Sequence, residues 1–166
     1  MPDPKLPTVQ APLKMLYLRE PETATLTIKA EGYLGTDVSF TISSQKLHLR
    51  TALAEGAGGS PGDLCPAELF LGSLAACAGV TMNAVASHLG LNFTSSIVRA
   101  EGDLDLRGTM GVDDNIQVGF SEIRLYAKIE TKATEEQVGN LLAMTEKYCV
   151  VYQSLKGGTK ITLERE

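Results

Sequence analysis

The chain has 166 residues, 43% hydrophobic and 21% charged, with a formal net charge of −5 and three cysteines. That length is enough for one domain with a proper core, and the composition is ordinary for a soluble globular protein. The acidic balance argues against a general nucleic-acid surface, and cysteines at 65, 77 and 149 do not make a disulfide framework. The opening MPDPKLPTVQAP lacks the basic region, apolar run and small-residue cleavage site of a signal peptide. A reducing, cytoplasmic location is therefore expected, where a cysteine pair cycles rather than staples.

Residues 1–23 carry five of the seven prolines, which predicts an extended N-terminal arm rather than a helix. The arm is either a disordered tail or, through Leu13, Met15, Leu16, Tyr17 and Leu18, a sticky strip lying along the domain or across a partner subunit. From Ala24 onward a single domain is expected, running to Glu166. ATLTIKA, TDVSFTIS and KLHLRTA alternate apolar with polar residues between glycine and serine punctuation, as three antiparallel strands would. The Gly-rich loop from Ala54 to Leu64 has neither the GK[ST] ending of a phosphate loop nor a GxGxxG pattern.

Pro66 to Leu89 reads as one long helix, with Glu68 and His88 its only chargeable residues, so burial on most sides is expected. Pro66 and Glu68 suit a helix start, and Gly90 suits its end. The span matches the roughly 20 residues of a membrane crossing. Against a membrane stand Ser73, Thr81, Asn83, Ser87 and His88, the lack of flanking Lys or Arg, and the lack of a second such segment. Cys77 sits at the helix centre among Gly72, Ser73, Ala75, Ala76, Ala78 and Gly79, where close approach of another helix or a ligand is open. By itself this thiol is either packing or a nucleophile. Strands follow within Asn92–Arg107 and Gln117–Thr131, and Thr134 to Gln137 forms a capping box opening a second helix through about Lys147. Cys149 falls at or just past its end, before a turn at LKGG and a last strand, TKITLERE. The fold class is α+β.

Two segments, PAELFLGSLAAC and EKYCVVYQSLKGG, resemble the paired cysteine motifs of the OsmC/Ohr family, thiol-dependent peroxidases acting on organic hydroperoxides. The resemblance covers about residues 24–166. It implies antiparallel sheets of about six strands wrapped around the buried central helix, in an intertwined homodimer with two active sites at the interface. It assigns Cys77 as the reactive thiol and Cys149 as the resolving thiol, with an external thiol or dithiol as reductant and no cofactor. An apolar pocket of residues such as Phe70, Leu74, Met82 and Tyr152 would take the organic tail. Glu68 and Arg50 enter as candidate activating residues. The family glutamate stands ten positions before the reactive cysteine, where this chain has Ala67, with Glu68 next to it. Nine positions put Glu68 about 180° from Cys77 on an ideal helix, so helix-start and catalytic readings of Glu68 both stand. The family arginine of the first hairpin has no counterpart in GYLGTDVSFTIS, and Arg50, beside His48 and Lys46, is the nearest basic residue before the helix. A proline commonly follows the second cysteine, and here it is Val150.

Cys65 reads as an incidental thiol. No metal is expected, since Cys65, Cys77, Cys149, His48 and His88 show no CxxC, HxxxH or HExxH spacing. Asp113-Asp114 reads as turn chemistry. The same fold without turnover, as a redox sensor or a hydrophobic-ligand binder, is the alternative function.

Overall fold

The structure is a computed structural model that describes residues 2–35, 37–43 and 46–161. The chain is α+β and divides into two compact units, one holding the described residues of 1–19, 73–99 and 125–166, the other those of 20–72 and 100–124.

In the first unit, the N-terminal residues are not extended. Leu6–Arg19 forms helix α1. The prolines misled because their positions matter more than their number: Pro2 and Pro4 precede the helix and Pro7 lies in its first turn, where amides have no intrahelical acceptor. Pro12 alone sits inside it. The helix is tied to the end of the long helix α2 (Pro66–Leu89), because the Asp3 amide donates to Ser87 Oγ at 2.9 Å and His88 Nε2 donates to Gln10 Oε1 at 2.6 Å. The core of this unit joins Met82, Val85 and Ala86 of α2 to Phe93 of β4 (Phe93–Leu104) and Leu141 of α4 (Glu135–Tyr148). Val98 and Ile129, the latter from β5 (Phe120–Thr131), pack against it. The expected capping box is present, with Gln137 N donating to Thr134 Oγ1 and Thr134 N donating to Gln137 Oε1.

Within one chain, α2 is less buried than its composition suggested. Leu74, Ala78, Met82, Val85, Ala86 and Ser87 are buried, while Ala76 is exposed and Val80 is 72% exposed on the other side. After Cys149 the chain re-enters a helix, α5 (Val150–Lys156), which the sequence did not suggest, and the turn expected at LKGG follows it at Gly157-Gly158. Of the expected last strand, Thr159–Ile161 carry no regular structure and residues 162–166 lie outside the described residues.

In the second unit, β1 (Gly32–Leu34), β2 (Ser39–Ser43) and β3 (His48–Ala52) form an antiparallel sheet in sequence order. Tyr33 pairs with Thr41, and Thr41 with Arg50. Three antiparallel strands were expected, but the first is GYL rather than ATLTIKA. Residues 25–31 form no strand among the described residues, and Leu26 and Ile28 are 78% and 85% exposed. An alternating pattern becomes a strand only where a partner edge is available, and among the described residues none pairs with 25–30; the Glu31 carbonyl, next to β1, accepts from the Ser43 amide at 2.9 Å. The Gly-rich loop returns to the sheet through the Ala52 amide, which donates to the Leu64 carbonyl at 3.0 Å. Gly102 makes room for an aromatic ring, since a Cβ there would stand 2.6 Å from Phe120, whose ring stacks on Phe70 at 5.7 Å, and the short helix α3 (Leu106–Thr109) follows β4.

Val38, in the turn between β1 and β2, has φ of 53°. A β-branched residue is strained in this left-handed region, whereas Asn tolerates it. Val38→Asn is therefore expected to stabilise the protein by about 0.5–1 kcal/mol, seen as a higher urea midpoint at unchanged slope. An unchanged midpoint would contradict this account of the turn.

Candidate active site

Cys77 and Cys149 are brought together within the first unit. Cys77 lies mid-way along α2 and is half-buried, and Cys149, at the junction of α4 and α5, is 1% exposed. Three local devices place Cys149. The Cys149 amide donates to the Thr145 carbonyl at 3.0 Å, closing the last turn of α4. Its own φ and ψ of −73° and 111° then break the helix, and its carbonyl accepts from the Gln153 amide at 2.9 Å, starting α5. Both thiols are free, and they stand near enough for each to shift the other's titration.

The electrostatics separate the two thiols. Burial pushes Cys77 up, but it is outweighed by donors converging on its sulfur: the Val151 amide, the Cys149 thiol, the Val150 amide and the Thr81 hydroxyl. Its pKa is held below that of an ordinary thiol. Cys149 is raised, first by burial and then because it donates to Cys77 and faces its charge, while the Tyr152 and Val151 amides pull the other way. Of the two thiols Cys77 is therefore the more acidic and Cys149 keeps its proton to higher pH. Thr81, one helical turn beyond Cys77, and the two valine amides were not foreseen. The Thr81 spacing is visible in the sequence as i, i+4. The amides become available only because the backbone turns at Cys149.

The remaining expected residues have local partners. Arg50 of β3 bridges Asp37, in the β1–β2 turn, at 2.6 Å, and Asp63 of the Gly-rich loop. Asp37 is held below the usual carboxylate range by its hydrogen bond from Ser39 and then by Arg50. Glu68 accepts from the Cys65 amide at 2.8 Å, three residues back, as an acidic residue in a first helical turn does. Of the residues expected to line an apolar pocket, Met82 belongs to the core of the first unit, Leu74 is 2% exposed, and Phe70 stacks on Phe120. The second unit holds an apolar cavity of about 620 Å³, lined by residues including Leu34, Phe40, Leu53, Leu104 and Phe120. Asp113 accepts from the Asn115 amide and side chain at 3.0 Å, in a turn. Among the described residues no group of three or more His, Cys, Asp or Glu side chains is placed to hold a metal ion.

A long helix carrying one thiol against a second thiol at a helix break, in an α+β chain with antiparallel sheets, defines a dithiol protein. Residues 58–164 match the family described as OsmC-like protein, and the chain belongs to that family. Its fold is similar to that of an OsmC-like protein from Mycoplasma pneumoniae, at 20% identity and a TM-score of 0.67, over 80% of this chain and 89% of that one. It also resembles an organic hydroperoxide resistance protein OsmC from Legionella pneumophila, at 22% identity and a TM-score of 0.62, over 80% and 90%. A third likeness is to an organic hydroperoxide resistance protein from Elizabethkingia anophelis, at 22% identity and a TM-score of 0.64, again over 80% and 90%. No curated protein matches the sequence. Of the described helices, α2 alone is long and apolar enough to cross a membrane, and three of the residues it buries, Met82, Val85 and Ala86, belong to the core of the first unit.

Proposed function

We propose that the protein is a thiol-dependent peroxidase that reduces organic hydroperoxides to alcohols. The observation that carries this reading is the unequal pair itself: an accessible thiol held toward thiolate by converging donors, with a buried, protonated thiol in reach. The Cys77 thiolate attacks one peroxide oxygen, the O–O bond breaks, and the alkoxide leaves and takes a proton from solvent as the alcohol. Cys77 is left as sulfenic acid. The Cys149 sulfur then attacks the Cys77 sulfur and gives its proton to the departing hydroxide, forming water and a disulfide. An external thiol or dithiol reduces that disulfide by exchange. A reducing compartment such as the cytoplasm suits this cycle. Arg50 and Glu68 serve the loop and the helix start in this reading, and the donors around Cys77 do the activating. Pure protein with an organic hydroperoxide and a dithiol should consume peroxide far above a Cys77→Ser control. Consumption no greater than the control would leave the second reading, a hydrophobic-ligand binder, which the apolar cavity of the second unit favours.

We also propose a homodimer. The exposed Ala76–Val80 side of α2 and the unpaired alternating stretch with Leu26 and Ile28 are apolar surfaces that a second copy would cover. Light scattering should give a dimer at micromolar concentration, and Val80→Asp should weaken it. A monomeric wild type would end this proposal.

A further inference from the structure

The junction between α4 and α5 has a specific hydrogen-bond debt. In an unbroken helix the Val150 amide would donate to the Glu146 carbonyl, four residues back. Here the extended backbone of Cys149 turns that amide away: Val150 becomes the first residue of α5, where an amide has no intrahelical acceptor, and there it helps to lower the pKa of Cys77. The abandoned carbonyl is not left bare, because Gln153 Nε2 reaches back from α5 and donates to it at 2.7 Å. The Gln153 backbone amide bonds the Cys149 carbonyl at 2.9 Å, so this one residue grips both sides of the break.

We infer that Gln153 is a positioning residue: by occupying the Glu146 carbonyl it keeps α4 and α5 broken at Cys149, which frees the Val150 amide for the Cys77 sulfur. The inference rests on Cys77 being the reactive thiol of the proposed peroxidase and names the side chain that keeps it activated. Without a donor at 153, the carbonyl's best partner is the Val150 amide, and recovering that bond withdraws a donor from the thiolate. The Glu146 carbonyl is exposed, so water can take the place of Gln153, and it is the competing helical bond, no longer blocked by a fixed side-chain donor, that draws the Val150 amide back. Lysine at 153 retains a donor on a side chain of similar length, whereas methionine keeps the shape and has none.

The test reads the pH midpoint for alkylation of Cys77, followed on its own peptide by mass spectrometry so that Cys65 and Cys149 do not interfere. Gln153→Met should raise that midpoint by about one unit, close to a tenfold loss of thiolate below it. Gln153→Lys should restore most of the wild-type value. Val150→Pro removes the amide while fitting the first position of a helix. It should raise the midpoint by itself, and most of the Gln153→Met shift should then disappear in the double variant. Circular dichroism and the urea midpoint identify any variant that has merely unfolded. A folded Gln153→Met protein with the wild-type midpoint, or full additivity with Val150→Pro, would overturn the inference. Absence of peroxide consumption by the wild type would instead count against the peroxidase reading, because the alkylation midpoint is measured without peroxide.

Discussion

One equivalent of an organic hydroperoxide is expected to convert the wild-type protein to a form with a Cys77–Cys149 disulfide and Cys65 still free. The two thiols stand near enough to shift each other's titration, and Cys149 sits at a helix break where local adjustment can close the bond. Cys77→Ser should reduce peroxide consumption to background, since the attacking atom is gone. Cys149→Ser should still consume one equivalent, because a serine hydroxyl can donate to Cys77 as the thiol does, but it should stall as sulfenic acid and pass to higher oxides. The rate should follow the thiolate of Cys77. Its pKa is depressed, so the reaction should persist below the range of an ordinary thiol and fall as pH drops through the lowered value. Peptide mapping that places the disulfide at Cys65, or a Cys77→Ser protein of undiminished reactivity, would refute the assignment.

The largest effect on stability is expected at Leu141. Its side chain is 2% exposed and meets Met82, Val85, Ala86 and Phe93 in the core of the first unit, so α2, β4 and α4 all lean on it. Leu141→Ala removes buried methylenes and leaves a cavity that its neighbours fill only in part, at a cost of about 2–5 kcal/mol. That is a large share of the roughly 5–15 kcal/mol by which a domain is stable. The same α4 carries Cys149 at its end, so partial unfolding should also move the Cys77 alkylation midpoint toward an ordinary thiol. Chemical denaturation of Leu141→Ala checks the first effect and alkylation the second. A loss below about 1 kcal/mol would mean the site collapses readily around the shorter side chain.

Much of this protein is local and could be read without coordinates. The extent of α2, from Pro66 through Leu89 with Gly90 beyond, follows from helix-start chemistry, an apolar run and a glycine stop. The Thr134–Gln137 capping box opens α4 where expected, and β4 and β5 lie within their expected segments. The two cysteine motifs point to the family because each sits beside a helix boundary whose residues are themselves distinctive. Proline counting failed at α1 because the rule concerns where along a helix the missing amide falls. Alternation failed at residues 25–31 because period two describes a surface and not its partner.

What the sequence alone determined, then, is where helices start and stop and which stretches alternate, since these depend on neighbours within a few residues. Tertiary structure decided which of the two thiols is the more acidic. That depends on a backbone break at Cys149 directing the Val150 and Val151 amides, together with Thr81, onto one sulfur, while burial presses on the other. It also decided the surroundings of Arg50 and Glu68, whose charges were legible in the chain but whose partners, Asp37 and Asp63 for the one and the Cys65 amide for the other, are set by turns and loop closure. Charge and reactivity act through a few ångströms of space, and residues far apart in sequence come within that range only once the chain has folded.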